Sequence, residues 1–395
     1  MPLWIPIWCG AAAIIGYAYI GYPLVALALA KFRGRSPRNE SPVPSSVAFI
    51  IAVHNGEDQI AERLGNLARC TEASQHCQNA RAIIVSDGSS DNTVAEARKA
   101  DQLSESLQVT VLDLPFRLGK PNALNHAFAH LDSAEITILG DLRQRFTEDS
   151  IDHLLSSFCD PTTGAVSGRL QIGAANSSTG SGVGGYWAFE TLLRNWEGAC
   201  GAGVTCTGAI YAIRSELWQP IPLEATIDDM LIPLQISEQG YQVRFEKRAL
   251  AIDPLPPDPT TERIRKRRTL AGNLQLLAAH PHWCFPGFHP LWWRLVSHKY
   301  LRLAVPWCLI LMLAASAYGA IGLGCPLGWL LLVPLIAVLT LGMIGRRFPN
   351  TKHPLFSIPA AFLFLNQVAI EAVFEHMSPK RSTHWATAGD AGRRA

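Results

Sequence analysis

Short polar residues stand at three places where an apolar run gives way to a turn. Val53-His54-Asn55 closes the run from Val47, Asp87-Gly88-Ser89-Ser90-Asp91 follows Ala82 to Val85, and Asp141 follows Ile136 to Leu139. Asp, Gly and Ser are default turn residues, so any one of these alone describes an ordinary turn. Short acids at independent strand ends are a pattern. A carboxylate there can hold Mg²⁺ or Mn²⁺, which take oxygen ligands and keep several waters, so one or two protein carboxylates suffice. It can also accept from a uracil N–H or a ribose hydroxyl. Asp87 is the candidate for base or ribose, and Asp141 for the metal and a diphosphate.

Two further stretches carry chemistry. Asp228-Asp229 stands between Ile227 and Met230, just before a helical run. One of the pair could act as a general base; the same dipeptide also serves as a helix cap. Arg263 to Arg268 carries five cations in six residues. That describes a solvated or membrane-surface stretch, or cations that stabilise a departing diphosphate. No G-x-G-x-x-G follows the first strand and no G-x-x-x-x-G-K-[ST] occurs, so a dinucleotide dehydrogenase or a P-loop ATPase is not expected.

The elements that must position these residues alternate. Val47–Val53, Ala82–Val85, Val109–Leu112 and Ile136–Leu139 read as strands; Glu57–Ala68, Asp91–Lys99, Lys120–Leu131 and Thr147–Phe158 read as helices, with Asp91 a cap. This order predicts an α/β fold with a mostly parallel sheet buried on both faces. Ligands of such sheets collect beyond the carboxyl ends of the strands, where the polar signatures fall. The stretch 173–185, rich in Gly and Ser, reads as a loop on the acceptor side or a plain surface connection.

Composition sets the frame. Of 395 residues, 48% are hydrophobic and 17% charged, below the roughly 25% of soluble proteins. Thirty-four Lys and Arg against 32 Asp and Glu leave a net charge of +2, too balanced for a nucleic-acid binder. The nine cysteines include no C-x-x-C spacing, so reduced thiols are expected rather than zinc or disulfides. The apolar excess lies at the ends. Leu3–Ala30 is long enough to span a bilayer, and Lys31, Arg33, Arg35 and Arg38 after it place the following chain in the cytoplasm. Leu303–Leu323 and Pro326–Ile344 repeat the pattern and end on Arg346, Arg347 and Lys352. Leu355–Phe374 contains Pro359, Asn366, Gln367 and Glu371; it spans within a bundle or re-enters. Four crossings would put the tail outside, against the preference of Lys380, Arg381, Arg393 and Arg394. The expected organisation is a membrane helix (1–30), a linker (31–46), a cytosolic α/β domain (47–280), an interfacial helix (281–300), a membrane region (301–377) and a polar tail (378–395).

Together the motifs Val53-His54-Asn55, Asp87-Gly88-Ser89-Ser90-Asp91, Gly119-Lys120-Pro121-Asn122-Ala123-Leu124-Asn125, Asp141, Asp228-Asp229 and Arg265-Lys266-Arg267-Arg268-Thr269, in this order, resemble membrane-bound family 2 glycosyltransferases. Cellulose, poly-N-acetylglucosamine and hyaluronan synthases and bacterial exopolysaccharide enzymes are of this kind. The resemblance implies a GT-A fold of Rossmann type flanked by transmembrane helices, and an inverting transfer from a nucleotide sugar, usually UDP-linked, with Mg²⁺ or Mn²⁺. It implies a glycan or lipid-linked acceptor, contact with membrane lipids, an inner-membrane location with the catalytic domain in the cytosol, and polysaccharide-export partners. Val53, Asn55 and Asp87 match donor-binding positions, with Asp87 on the nucleotide. Lys120 lies in the stretch lining the donor pocket, and Asp141 matches the first acid of the D-x-D metal motif. Thr207 and Gly208, within Val204 to Tyr211, match the segment beside donor sugar and acceptor. Asp229 matches the base of T-E-D, with Asp228 in place of its glutamate. Arg268 matches the arginine of Q-x-x-R-W, and Arg265 or Arg268 would help neutralise the leaving group.

Three departures bear on function. The second acid of D-x-D is Arg143, which leaves Asp141 as a lone ligand or supplies cationic charge itself. Thr269 replaces the tryptophan that helps form the acceptor site of processive enzymes, so a transferase adding one sugar to a lipid carrier is the alternative to a synthase. The altered motifs also admit an inactive nucleotide-sugar-binding assembly subunit. The tail Lys380 to Thr387 loosely resembles the W-x-x-T-x-R ending of some synthases.

Overall fold

The four runs read as strands join four further strands in one eight-stranded sheet. In the computed structural model, which describes residues 2–77, 80–99, 105–172, 182–253, 259–348 and 353–377, the strands are β1 (Val47–Val53), β2 (Ala80–Asp87), β3 (Leu107–Leu114), β4 (Ile136–Gly140), β5 (Arg145–Phe146), β6 (Thr163–Ile172), β7 (Ile210–Arg214) and β8 (Gln242–Asp253). Their order is β3-β2-β1-β4-β7-β6-β8-β5. β1 runs parallel to β2 and β4, and β2 to β3; β7 runs antiparallel between β4 and β6. Strand alternation splits the core in two. Val47, Phe49, Ile51 and Val53 pack on one face of β1, Ile50 and Ala52 on the other. Most of the expected loop at 173–185 and all of the tail lie outside the described residues.

The helices are α1 (Trp4–Arg33), α2 (Glu57–Ala73), α3 (Thr93–Lys99), α4 (Lys120–Ala129), α5 (Ser150–Ser156), α6 (Gly182–Ala199), α7 (Asp228–Glu238), α8 (Pro259–Ala279), α9 (Trp292–Gly322), α10 (Pro326–Arg347) and α11 (Pro354–Met377). The run expected from Thr147 becomes helical only at Ser150. Thr147 Oγ1 donates to Asp149 Oδ1 at 2.7 Å and its carbonyl accepts Ser150 N–H at 3.0 Å, which closes a turn first. Residues 281–300, expected as one interfacial helix, do not form one. Pro286, Gly287 at φ 88° and Pro290 break the stretch, and from Trp292 the chain runs directly into α9. Trp283 and Leu295 are buried in the core of the α/β domain instead.

Among the described residues four helices, α1, α9, α10 and α11, are long and apolar enough to cross a membrane. Small residues set their contacts. A Cβ on Gly328 would lie 2.2 Å from Ala320 N, and one on Gly345 2.4 Å from the Phe356 carbonyl oxygen, so both glycines let backbones touch. α11 is also tied to the α/β domain. Arg263 of α8 pairs with Glu371, and Arg267 with Glu375 at 2.7 Å, one helical turn on in each helix.

The linker after α1 is fixed by a buried ion pair. Asp160 accepts from Arg244 Nη2 at 3.1 Å and from the backbone N–H of Arg38 at 3.1 Å, while Arg244 Nη1 donates to the Arg35 carbonyl at 2.8 Å. Both side chains are buried. Asp160→Ala leaves the Arg244 guanidinium without its counter-charge. It is expected to destabilise the fold by about 3–5 kcal/mol, read by thermal or denaturant unfolding in detergent.

Candidate active site

The ends of β1 and β2 lie side by side and are stitched together by the motifs that follow them. Asn55 adopts the left-handed conformation at φ 52°, which Asn tolerates. Its backbone N–H donates to Ser89 Oγ at 3.1 Å and its side-chain oxygen accepts Ser90 N–H at 2.8 Å. Val53 is 1% exposed and its side chain belongs to the core. Asp87 is 0% exposed. Its two oxygens accept the backbone N–H groups of Leu118 at 2.8 Å and Gly119 at 2.9 Å. The side chains of Asn55 and Asp87, at expected donor-binding positions, thus also build the loops there, and that of Val53 packs in the core. A buried carboxylate taking two N–H donors is a strong clamp. It holds Gly119, at φ 96°, in a conformation suited to glycine, and so fixes where α4 begins.

Lys120 is the first residue of α4, and its amine is the hub of the site. Nζ lies 3.2 Å from Asp141 Oδ1 at the end of β4 and 3.0 Å from Asp228 Oδ2 in the first turn of α7. Burial opposes its charge, but Asp228 and then Asp141 outweigh that and hold it protonated, above the usual lysine range. The Tyr211 hydroxyl donates to Asp228 Oδ2 at 3.4 Å. Asp228 is therefore a positioning residue, bound on its inner side. Asp229, the next residue, is half-buried and faces Gly208, where an added Cβ would lie 3.2 Å from Asp229 Oδ2. Its backbone oxygen accepts Cys206 N–H at 2.8 Å and Thr205 Oγ1 at 3.2 Å, which clamps the segment before β7 to α7. Burial, then the Asp228 carboxylate, pushes the Asp229 carboxyl up to about 6, against the pull of Lys120 and Arg194. Thr207 is oriented by two bonds: Arg194 Nη1 donates to its Oγ1 at 2.8 Å, and its N–H donates to Ser167 Oγ at 2.9 Å.

The basic stretch divides by helix face. Arg263 and Arg267 go to α11, and Lys266 Nζ sits 3.9 Å from the Trp187 ring centre. Among the described residues no carboxylate pairs with Arg265 or Arg268, and Arg268 Nε is buried without a hydrogen-bond partner. Arg143, at the second D-x-D position, turns to Asp253 at the end of β8, which Gln144 Nε2 also approaches at 3.2 Å. Burial, then the nearby Arg265, lowers the Arg143 pKa despite Asp253. Arg143 also lies within reach of the Asp141 carboxylate's field, which leaves cationic charge near that acid.

The fit of a divalent metal rests on Asp141 alone. Among the described residues no three His, Cys, Asp or Glu side chains gather as a metal cage. Asp141 has a 34% exposed side chain and gives only Oδ1 to Lys120. One free carboxylate oxygen suits a metal that arrives with diphosphate oxygens and water as its other ligands, and does not suit a resident ion.

Several residues of the site carry no motif. Arg194 on α6 and Ser167 on β6 hold Thr207. Arg63 of α2, 0% exposed, lies 4.0 Å from the Phe146 ring centre behind Asp141. Asp253 was findable, since it is again a short acid closing a strand. Arg194 was not, because only the packing of α6 brings it to the site.

The sequence profile of glycosyl transferase family 2 matches residues 48–211, and that of glycosyl transferase family group 2 matches 144–344. The chain belongs to the family 2 glycosyltransferases. No curated protein sequence matches. Among solved structures, a mannosyltransferase from Pyrobaculum calidifontis, in complex with GDP-Man and Mn²⁺, is 22% identical, with 95% of this chain and 99% of that one covered at a TM-score of 0.72. Glucosyl-3-phosphoglycerate synthase from Mycobacterium tuberculosis, with Mn²⁺ and UDP, is 13% identical over 59% of this chain and 79% of that one, at 0.39. GalNAc-T7 with UDP, GalNAc and Mn²⁺ is 13% identical over 65% and 55%, at 0.43. The first of these shows the fold, a GT-A-type sheet with flanking apolar helices. As a family 2 glycosyltransferase the protein takes a nucleotide-sugar donor.

Asp229 gives the glycosyltransferase a pH signature. Its base form is lost below about pH 6. Turnover is expected to fall about tenfold per pH unit on the acid side of that value. Lys120→Met removes the cation that lowers the Asp229 pKa, so the acidic limb moves to higher pH. A pH–rate profile of nucleoside diphosphate release checks both; an unmoved limb in the variant overturns the coupling.

Proposed function

We propose that this glycosyltransferase moves one sugar, with inversion, from a nucleoside diphosphate sugar to a hydroxyl of a glycan or lipid-linked acceptor at the cytoplasmic membrane face. The observation that carries the reading is the Asp229 carboxyl, half-buried beside Gly208 with its pKa raised to about 6 and a cation-flanked Asp141 across Lys120. A base with that pKa takes a hydroxyl proton at neutral pH and remains inside the site to do so. Lys120 orients the acids: it pins Asp228, so Asp229 is the one left to face the acceptor. Thr207 and Gly208 leave room for the donor sugar. Arg265 and Arg268, the two cations of the basic stretch without a carboxylate, take up the charge that develops on the diphosphate. A Mg²⁺ or Mn²⁺ on Asp141 would supply further charge neutralisation there when bound. The complex of the similar mannosyltransferase with GDP-Man and Mn²⁺ supports this donor and metal class. UDP- and GDP-sugars are both candidate donors.

Thr269 favours single-sugar transfer. It is exposed, and its hydroxyl bonds back to the Arg265 carbonyl at 3.0 Å, so no aromatic platform for a growing glycan stands at that position. Glycolipid assembly, or one step in exopolysaccharide assembly, is the setting such a transfer serves. The cytoplasmic placement is supported by Arg33, Arg35 and Arg38 after α1 and by Arg346 and Arg347 ending α10. We read α11 as lying along the membrane surface on that side. Arg346 donates to Gln367 at 2.7 Å, and Glu371 and Glu375 pair with α8, so the length of α11 stays level with the catalytic domain. Three crossings then return the tail to the cytoplasm, in accord with its basic residues.

Asp229→Asn is expected to lower kcat by about 10²–10⁴-fold with donor binding retained. Nucleoside diphosphate release from purified protein with Mg²⁺ or Mn²⁺ and a panel of UDP- and GDP-sugars measures it. Near-normal turnover in the variant overturns the base assignment. The mass of the product is expected to show one added sugar per acceptor, and a long glycan would instead establish a polysaccharide synthase.

A further inference from the structure

Between Asp229 and the apolar helices, α6 and the helices packed on it carry a second set of charges, of which Arg194 also serves the transfer site. Lys266 of α8 sits over the rings of Trp187 and Tyr186, at 3.9 and 4.7 Å. From the start of α9, Arg302 pairs with Glu190 of α6, and Lys299 Nζ lies 3.7 Å from the same carboxylate. Arg302 also lies over the rings of Phe189 at 5.3 Å and Tyr19 of α1 at 5.7 Å. Arg194, one turn along from Glu190, extends the row to Thr207 and the Asp229 pocket. The acids facing this row are Glu190, Glu262 at 3.8 Å from Lys266 Nζ, and Glu197. Glu197 is already shared by the Tyr22 hydroxyl and His298, whose other ring nitrogen faces Glu190 at 3.3 Å.

Two arginines and two lysines thus face three carboxylates among the described residues, before His298 is counted. Their unpaired donors outnumber the unpaired acceptors, since among the described residues Glu197 Oε2 is the one buried carboxylate oxygen of the cluster without a hydrogen-bond partner. Arg194 Nε and both Nε and Nη2 of Arg302 are buried with no hydrogen-bond partner. Buried N–H donors are rarely left unpaired, and those of a charged group least of all. A glycan offers neutral hydroxyls, which would leave the excess charge uncompensated. A phosphate brings negative charge and several acceptor oxygens, and forked guanidinium groups suit it. The place also has a character of its own. Helices α1 and α9 enter it from the apolar region, and Tyr186, Trp187 and Tyr19 give it amphipathic walls of the type found at a bilayer edge.

We propose that the acceptor is an alcohol carried on a phosphate-bearing lipid, with its phosphate received by Arg194, Lys266, Lys299 and Arg302 and its hydroxyl reaching Asp229. This rests on the transferase reading above and names its acceptor class. In the step itself the acceptor O–H proton passes to Asp229 and the oxygen forms a bond to the anomeric carbon. The bond from that carbon to the nucleoside diphosphate breaks, and its electron pair leaves on the diphosphate. The lipid phosphate is unchanged and serves only for binding.

The test uses the full chain in phosphatidylcholine vesicles with the UDP- and GDP-sugar panel. The vesicles are doped in turn with phosphatidylinositol, a polyprenyl-diphosphate-linked monosaccharide, or a neutral diacylglycerol-linked monosaccharide. Glycosylated lipid is identified by mass, and nucleoside diphosphate release and donor Kd are measured alongside. Product is expected with phosphatidylinositol or the polyprenyl diphosphate, the two arms separating these sources, and kcat/KM for the neutral glycolipid at least tenfold lower. Lys266→Gln is expected to raise KM for the phosphate-bearing lipid about tenfold or more with donor Kd unchanged, and Lys266→Arg to restore it. Equal or better use of the neutral glycolipid, or an unchanged KM in Lys266→Gln, overturns the proposal. Donor hydrolysis with no lipid product overturns it and leaves the transferase reading standing. Failure to bind any nucleotide sugar overturns the transferase reading, and this proposal with it.

Discussion

One ammonium group holds the reacting part of this enzyme together. Lys120 bridges Asp141, which ends β4, and Asp228, which begins α7, and it stands at the head of α4. Three elements far apart in sequence meet at that nitrogen. Two nearby carboxylates would repel each other across a low-dielectric cleft, and the buried cation between them makes their approach favourable. Its own position is set from behind by Asp87, which grips Leu118 and Gly119 and so decides where α4 can start. The order of dependence runs from Asp87 to Lys120 to Asp228, and it leaves Asp229 as the carboxyl facing Gly208.

The same logic of fixed charge governs how the catalytic domain sits on its apolar helices. α6 carries Arg194 to Thr207 on one side and Glu190 and Glu197 to α9 and α1 on the other. α8 gives Arg263 and Arg267 to α11, and among the described residues no carboxylate pairs with its Arg265 or Arg268. α6 thus touches both the candidate site and the apolar helices. The active site is therefore built against the apolar helices and does not hang from them by a linker.

Arg143 shows how a departure from a family pattern is accommodated. An arginine at an expected metal-ligand position would repel the ion if it faced the same way as the acid it replaces. Here it turns to Asp253, and that pair rests on Gln144 and lies near Arg265. Asp141 keeps one free oxygen, and the cationic charge near it comes in part from the protein.

The sequence by itself determined the alternation of strands and helices, the apolar ends, and the identity of the acids at Asp87, Asp141, Asp228 and Asp229. These follow from local rules: period-2 and period-3.6 burial, turn chemistry at strand ends, and span length. The motifs named the family for the same reason, since each is a short contiguous stretch. Only the tertiary structure decided what each side chain does. Asp87 and Asn55 serve as clamps because folding brings the backbone N–H groups of Leu118, Gly119 and Ser90 against their oxygens. Residues 281–300 do not form the expected helix, since Pro286, Gly287 and Pro290 interrupt it, and only packing placed Trp283 and Leu295 in the domain core. Arg194, Ser167 and the partners of the five-cation stretch were invisible in sequence, because each acts on a residue brought near by packing. Spacing along a chain fixes a local conformation, whereas the sign and reach of a charge depend on which elements fold against it.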